Sequence, residues 1–256
     1  MSNQSTIDKL IAMRLSRMAD AYVIQDSDEH LRAASFDERF SHIVDTEYLH
    51  RVNNRHTRLL KNAHLEQPGA HLCNTDYTKG RTLDRNLIIK LETCDFIVKA
   101  INVFITGASG TGKTFFACGL GNAACERNFT TLYMRLPDFL TDIELAKQEG
   151  PYQYKRVMAK YINPKLLIID EWLLVTPTEK ECSFIKELIH KRRRRSSTVF
   201  CSQYDDSEWY EQLGGDNNPL AEAILDRIVH DAYRISIRST TPGKSISMRE
   251  VYGLKA

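Results

Sequence analysis

The spacing of hydrophobic positions changes twice along the chain. Between residues 7 and 22 they recur at helical intervals (Ile7, Leu10, Ile11, Leu15, Met18, Tyr22) behind Ser5 and Asp8 in capping-box spacing, which predicts one amphipathic helix. Ser35 and Glu38 repeat that signature, and Phe36, Phe40, Ile43, Val44, Tyr48 and Val52 mark one face of a second, long helix reaching about Asn62. Residues 66–86 then lose the period, with Pro68, Gly69 and Gly80 among alternating polar positions, and read as an irregular linker.

Beyond the linker the pattern becomes short strand-like runs at 101–105, 130–134, 165–170, 197–202 and 232–237, with Leu166 to Ile169 apolar throughout. Helical stretches separate them, over 115–125, from Pro137 onward, between Gly150-Pro151 and Asn163-Pro164, over 177–193 and over 220–230. Runs that are apolar throughout suit strands buried on both faces, and strand–helix alternation suits parallel pairing with helices on either side. The expectation is an α/β chain in three parts: a small N-terminal helical domain (1–65), a linker (66–86), and a nucleotide-binding domain (87–256) built on a five-stranded parallel sheet.

Composition changes this picture little. With 42% apolar residues in 256 the chain can bury a sizeable core, and a net charge of only +2 assigns any nucleic-acid contact to local basic clusters. The six cysteines form no C-x-x-C pair, which points to buried, reduced thiols and away from structural zinc. The first residues, MSNQSTIDKLIAMRLSRM, lack the continuous apolar core of a signal peptide, and no stretch is apolar enough to span a bilayer. A cytoplasmic protein without a membrane partner is expected.

Candidate chemistry centres on Gly107-Ala108-Ser109-Gly110-Thr111-Gly112-Lys113-Thr114, a full G-x-x-x-x-G-K-[ST] match lying between a predicted strand and a predicted helix. The glycines allow tight turns and close approach of backbone N–H groups to phosphate oxygens. Lys113 would reach the β- and γ-phosphates, Thr114 would hold Mg²⁺, and the helix N-terminus, with Phe115 in its first turn, supplies a positive dipole end. The run Leu166-Leu167-Ile168-Ile169-Asp170-Glu171 follows one strand later. Asp170 would meet the Mg²⁺ and Glu171 would polarise the attacking water, because open α/β sheets bind ligands at the C-terminal ends of their strands. Acids at both positions, without the Asp-x-x-Gly of a GTP switch, favour hydrolysis of ATP to ADP. The strand 197–202 ends beside Gln203, the expected polar sensor of water or γ-phosphate, with Ser202 as the alternative. Arg227, in ILDRIVH, either reaches the nucleotide of a neighbouring subunit or pairs internally with Asp226 or Asp231.

Two basic clusters complete the set. Arg51, Arg55 and Arg58, with Lys61 close by, fall on one face of the second helix, and Lys191-Arg192-Arg193-Arg194-Arg195 closes a later helix. The first could track DNA phosphates or form a solvated face balanced by Asp45 and Glu47; the second could serve DNA or a subunit interface.

GASGTGKT, LLIIDEW, STVFCSQ, AILDRIVH and the closing GKSISMRE together resemble the IstB-type transposition helper ATPases of insertion sequences, relatives of DnaC-type helicase loaders in the AAA+ class. MRLSRMADAY, SFDERF and GRTLDR extend the resemblance toward the N-terminus. It implies an ATP- and Mg²⁺-dependent ATPase that forms a homo-oligomer on duplex DNA, with little sequence preference, and recruits or activates a partner transposase. It also implies that Arg227 is an arginine finger and that Arg249 senses nucleotide. About fifty residues follow the sensor strand, which implies a core without a full C-terminal lid. The alternative is a loader that grips a replicative helicase and prefers single strands; a nucleotide-binding scaffold without turnover is a third reading, which Glu171 disfavours.

Overall fold

The computed structural model describes residues 3–77, 80–229, 232–240 and 247–251, without the side chains of Arg249 and Glu250. The chain divides into two compact units, Met1–Arg58 and Leu59–Ala256.

The first unit is helical: α1 (Gln4–Ala12), α2 (Ser16–Ile24), α3 (Glu29–Ala33) and most of α4 (Phe36–Ala63). The single first helix expected from periodicity is two helices, because Arg14 takes a left-handed φ of 59° between them. The cap also differs from expectation. Asn3 accepts the Ser5 N–H at 3.0 Å, and Asp8 is taken by the Gln4 carboxamide at 2.9 Å, so no Ser5–Asp8 box forms. The box opening α4 does form, with Glu38 accepting both the N–H and the hydroxyl of Ser35 at 2.8 Å.

Buried Glu47 ties this unit together. Its carboxylate accepts the N–H groups of Arg17 and Met18, in the first turn of α2, at 3.0 and 3.2 Å. It also takes Arg51 Nε at 2.6 Å, while Arg51 Nη2 donates to the Arg14 carbonyl at 2.8 Å. These contacts lower the Glu47 pKa, the Arg51 bond most of all. Of the apolar face expected on α4, Ile43 is buried, whereas Phe36, Phe40, Val44, Tyr48 and Val52 stay exposed.

The second unit carries the sheet. Its strands are β1 (Arg81–Thr82), β2 (Asn102–Gly107), β3 (Thr131–Arg135), β4 (Leu166–Asp170), β5 (Ser197–Ser202) and β6 (Ala232–Ser239), in the order β1-β6-β2-β5-β4-β3. The five expected strands are all present and parallel. A sixth, β1, pairs antiparallel with β6 and is too short to leave a periodic signal. Helices α5 (Arg85–Glu92), α6 (Asp95–Val98), α7 (Lys113–Glu126), α8 (Leu136–Glu149), α9 (Pro151–Ile162), α10 (Glu179–Arg192), α11 (Trp209–Gln212), α12 (Ala221–Ile228) and α13 (Met248–Val251) complete it.

Side-chain alternation divides the core in two. Val103, Ile105, Ile168, Val199 and Cys201 face α7, whereas Phe104, Leu167, Ile169 and Phe200 face the layer holding Phe139, Leu188 and Trp209. Every residue of β4 and β5 is buried, whereas β6 alternates, with Ile235 and Ile237 buried and Arg234, Ser236 and Arg238 exposed. Trp172, which follows the acidic pair, is fully buried in the second layer with its ring centroid 4.7 Å from that of Phe200.

Residues 66–77 and 80–86 are held closely to this unit, which departs from an irregular linker. Asn122 of α7 donates to the Pro68 and Ala70 carbonyls at 2.9 and 2.6 Å, and Leu72 is buried. A Cβ on Gly119 would lie 2.8 Å from Leu72 Cδ2, so the absence of a side chain in α7 is what admits this segment.

Candidate nucleotide site

The loop between β2 and α7 is shaped by glycine where a side chain has no room. A Cβ on Gly107 would meet the Ile237 carbonyl of β6 at 2.5 Å, and Gly110 and Gly112 hold left-handed φ values of 77° and 99°. Gly112 caps α7 without a side-chain hydrogen bond, which leaves the first-turn N–H groups available to a ligand. Lys113 donates to the loop's own carbonyls, Gly107 at 2.8 Å and Ala108 at 2.9 Å, and burial lowers its pKa. Its ammonium thus lies where phosphate oxygens would compete with those carbonyls.

Strand β4 delivers Asp170 to the same place. Its Oδ2 accepts the Thr114 hydroxyl at 2.7 Å and the Tyr133 phenol at 2.9 Å, and its Oδ1 accepts the Glu171 N–H at 2.8 Å. Burial and the neighbouring carboxylate push the Tyr133 phenol well up, so it is a proton donor throughout the working range. Tyr133 escaped sequence reasoning because it sits in an ordinary apolar run. Only the register of β3 on β4, where it faces Ile168, turns it toward the acid.

Glu171 has a φ of 54°, and its carboxylate meets Arg135 Nη2, at the end of β3, at 2.7 Å. At the end of β5 the two sensor candidates separate. The buried Ser202 hydroxyl donates to the Trp172 carbonyl at 2.9 Å, whereas Gln203 joins Ser109, Lys113, Phe115, Asp170 and Glu171 around a cavity of about 450 Å³.

A glycine-shaped loop at a helix N-terminus, with a hydroxyl against an acid from the next strand but one, has the form of a nucleotide phosphate site. The family model of the IstB-like ATP binding proteins matches residues 8–249 of the chain. The chain belongs to that family. This IstB-like protein is 34% identical to an insertion sequence ATP-binding protein of Sinorhizobium fredii over 232 residues, 91% of this chain and 93% of the relative. It is 35% identical to the IS1162 ATP-binding protein of Pseudomonas fluorescens over 207 residues, 81% and 89% of the two chains. Among solved structures the DnaC helicase loader superposes with a TM-score of 0.53 at 14% identity, covering 66% of this chain and 97% of that one. DnaI gives a TM-score of 0.53 at 17% identity, over 71% and 90%. At these identities the likeness is one of fold, the AAA+ P-loop core.

Other expected residues lie elsewhere in the IstB-like chain. Arg227 lines a separate cavity with Asn102 and Thr198, at the N-terminal ends of β2 and β5 and so at the opposite end of these strands from the loop. It donates to the Ala223 carbonyl of its own helix. Asp226 faces Arg193 at 4.0 Å; Asp231 and the Arg249 side chain lie outside the described residues.

The basic run at the end of α10 divides by role. Arg192 is 3% exposed and is corrected from a DNA contact to a structural brace. It donates to the carbonyls of Tyr161, Ile162, Pro164 and Ser197 at 2.5–3.1 Å and to Thr198 Oγ1 at 3.1 Å. Lys191 pairs with Glu187 at 2.9 Å, whereas Arg194 and Arg195 are exposed. Arg51 likewise leaves the α4 stripe, since Glu47 and the Arg14 carbonyl engage it; Arg55, Arg58 and Lys61 are exposed. No described helix is long and apolar enough to cross a membrane.

Proposed function

We propose that this IstB-like protein is an ATPase that assembles as a homo-oligomer on duplex DNA and recruits or activates a partner transposase. The observation that carries the reading is the 2.7 Å contact between Thr114, at the N-terminus of α7, and Asp170, at the end of β4. A hydroxyl and a carboxylate brought together beside open backbone N–H groups suit Mg²⁺ shared with nucleotide phosphates. Among the described residues no group of three or more His, Cys, Asp or Glu could hold a metal alone, which is consistent with a cation sharing its ligands with phosphate.

On this reading Thr114 and Asp170 hold Mg²⁺, which neutralises charge on the β- and γ-phosphates when bound. Tyr133 holds Asp170 in place. Lys113 leaves the Gly107 and Ala108 carbonyls for the phosphates, Gln203 orients water, and Glu171, released from Arg135, accepts its proton. Arg227 would serve a neighbour's nucleotide in trans, a reading that its distance from its own loop supports and that would make hydrolysis depend on assembly. DNA contact falls to Arg55, Arg58, Lys61, Arg194 and Arg195, exposed cations suited to phosphates and hence to sequence-tolerant, salt-sensitive binding.

The test is nucleotide binding and turnover in two variants. Lys113→Ala should weaken ATP binding by about a hundredfold, the equivalent of one charge-assisted contact to phosphate. Glu171→Gln should bind ATP normally and not hydrolyse it. Normal ATP affinity in the first variant, or normal turnover in the second, would refute the assignment.

A further inference from the structure

Arg81 lies in the segment whose sequence reads as a linker, yet the residue is 6% exposed and its guanidinium stands against the phosphate loop. Nη1 donates to the Thr111 carbonyl at 2.8 Å, and Cζ sits 5.2 Å from the centre of the buried Phe116 ring, in the first turns of α7. A Cβ on Gly112 would lie 2.7 Å from the same Nη1. The missing side chain at Gly112 is thus the space that Arg81 enters. The strand bearing it is anchored independently, Arg81 pairing with Ser239 of β6 and the Gly80 carbonyl accepting the Thr240 N–H at 2.8 Å.

We propose that Arg81 is a positioning residue for the nucleotide. The Thr111–Gly112 peptide is trans, so its carbonyl and its N–H point to opposite sides. With the carbonyl held by Arg81, the Gly112 N–H is turned away from Arg81 and stays among the amides that the loop offers to phosphate. Without that hold the peptide can rotate, and each rotated conformer presents a carbonyl dipole of the wrong sign to an anion.

A buried guanidinium beside the N-terminal end of α7 adds to the positive end of the helix dipole and to Lys113, so a bound polyphosphate feels two fixed cations. Phe116 accommodates the charge by presenting its ring face to the guanidinium. The edge strand β1 is through this residue coupled to nucleotide binding.

The inference rests on the loop being the ATP site, and the experiment separates the two. Fluorescent ATP and ADP analogues are titrated into the full chain and into Arg81→Met, Arg81→Lys, Phe116→Leu and Lys113→Ala, each checked for folding by circular dichroism. Arg81→Met should weaken ATP and ADP alike by about tenfold, the loss of one hydrogen bond from a charged group. Arg81→Lys, which keeps the charge without the planar fork, should recover part of that loss. Phe116→Leu should weaken both nucleotides less than Arg81→Met. A folded Arg81→Met protein that binds ADP as tightly as the parent overturns the proposal. So does parental affinity in both Arg81→Lys and Phe116→Leu, should Arg81→Met fail to fold. Parental affinity in Lys113→Ala instead removes the nucleotide-site reading itself.

Discussion

Replacing Arg192 by methionine separates a structural arginine from its basic neighbours. Methionine keeps most of the side-chain volume and removes the guanidinium, which leaves Thr198 Oγ1 and four carbonyls without their donor. Two of those carbonyls, on Tyr161 and Ile162, end α9, where a cation also meets the negative end of the helix dipole, and a third, on Pro164, lies just beyond it. Burial lowers the Arg192 pKa to about 9, so the group is charged at neutral pH.

The charge is expensive to bury and the acceptors are expensive to abandon. Each buried acceptor left without a donor costs about 1–3 kcal/mol, so losing two or three of them removes about 3–5 kcal/mol from a total stability of about 5–15 kcal/mol. With a urea dependence of about 2–3 kcal/mol per molar, the unfolding midpoint should fall by about 1–2 M. Trp172 and Trp209 are both fully buried, so their emission reports the transition directly. Arg194→Ala and Arg195→Ala, at exposed positions, should shift stability by no more than about 0.5 kcal/mol while weakening DNA binding. An unchanged midpoint in Arg192→Met, accompanied by loss of DNA binding, would refute the structural role.

Tyr133→Phe removes one of the two hydroxyls on Asp170 Oδ2 and should slow hydrolysis several-fold while raising the Mg²⁺ concentration needed; an unchanged Mg²⁺ dependence would exclude a positioning role. Native protein treated with a thiol reagent should label rapidly at Cys73, the exposed cysteine, while the five buried cysteines react only on unfolding. Fast labelling of Cys201, whose thiol burial pushes well up, would contradict the packing around the loop. Because the Glu47 pKa is lowered in the fold, its stabilisation is present above the ordinary carboxylate value and is lost as pH falls through the folded one. The helical unit should therefore loosen in that acid window, and Glu47→Gln should remove this pH dependence; a parental acid profile in that variant would refute the assignment.

Much of the fold was legible because β2 to β5 are almost wholly buried and carry mainly apolar runs, while β6 alternates buried Ile235 and Ile237 with exposed polar residues and Thr178 and Gly150 set helix boundaries near the expected places. Strand β1 was not legible, since two residues have no period and their pairing is decided by β6. The loop and Asp170 could be read because phosphate chemistry fixes residue types at fixed spacing. Tyr133, Arg135 and Arg81 could not, as each acquires its partner from strand register or from a glycine's missing side chain. Charge runs misled in a consistent way. A sequence counts Arg51 and Arg192 with their neighbours, and only the fold reveals that Glu47 and the end of α9 have already taken them.

Hydrolysis that depends on assembly on duplex DNA is tested most directly by light scattering with simultaneous phosphate release. With ATP and duplex DNA at low salt, the parent protein should form large particles and hydrolyse faster than the free protein. Arg227→Ala should bind ATP and assemble but lose the stimulated hydrolysis. Equal hydrolysis by free and assembled protein, or assembly on single strands in preference to duplex, would contradict the account.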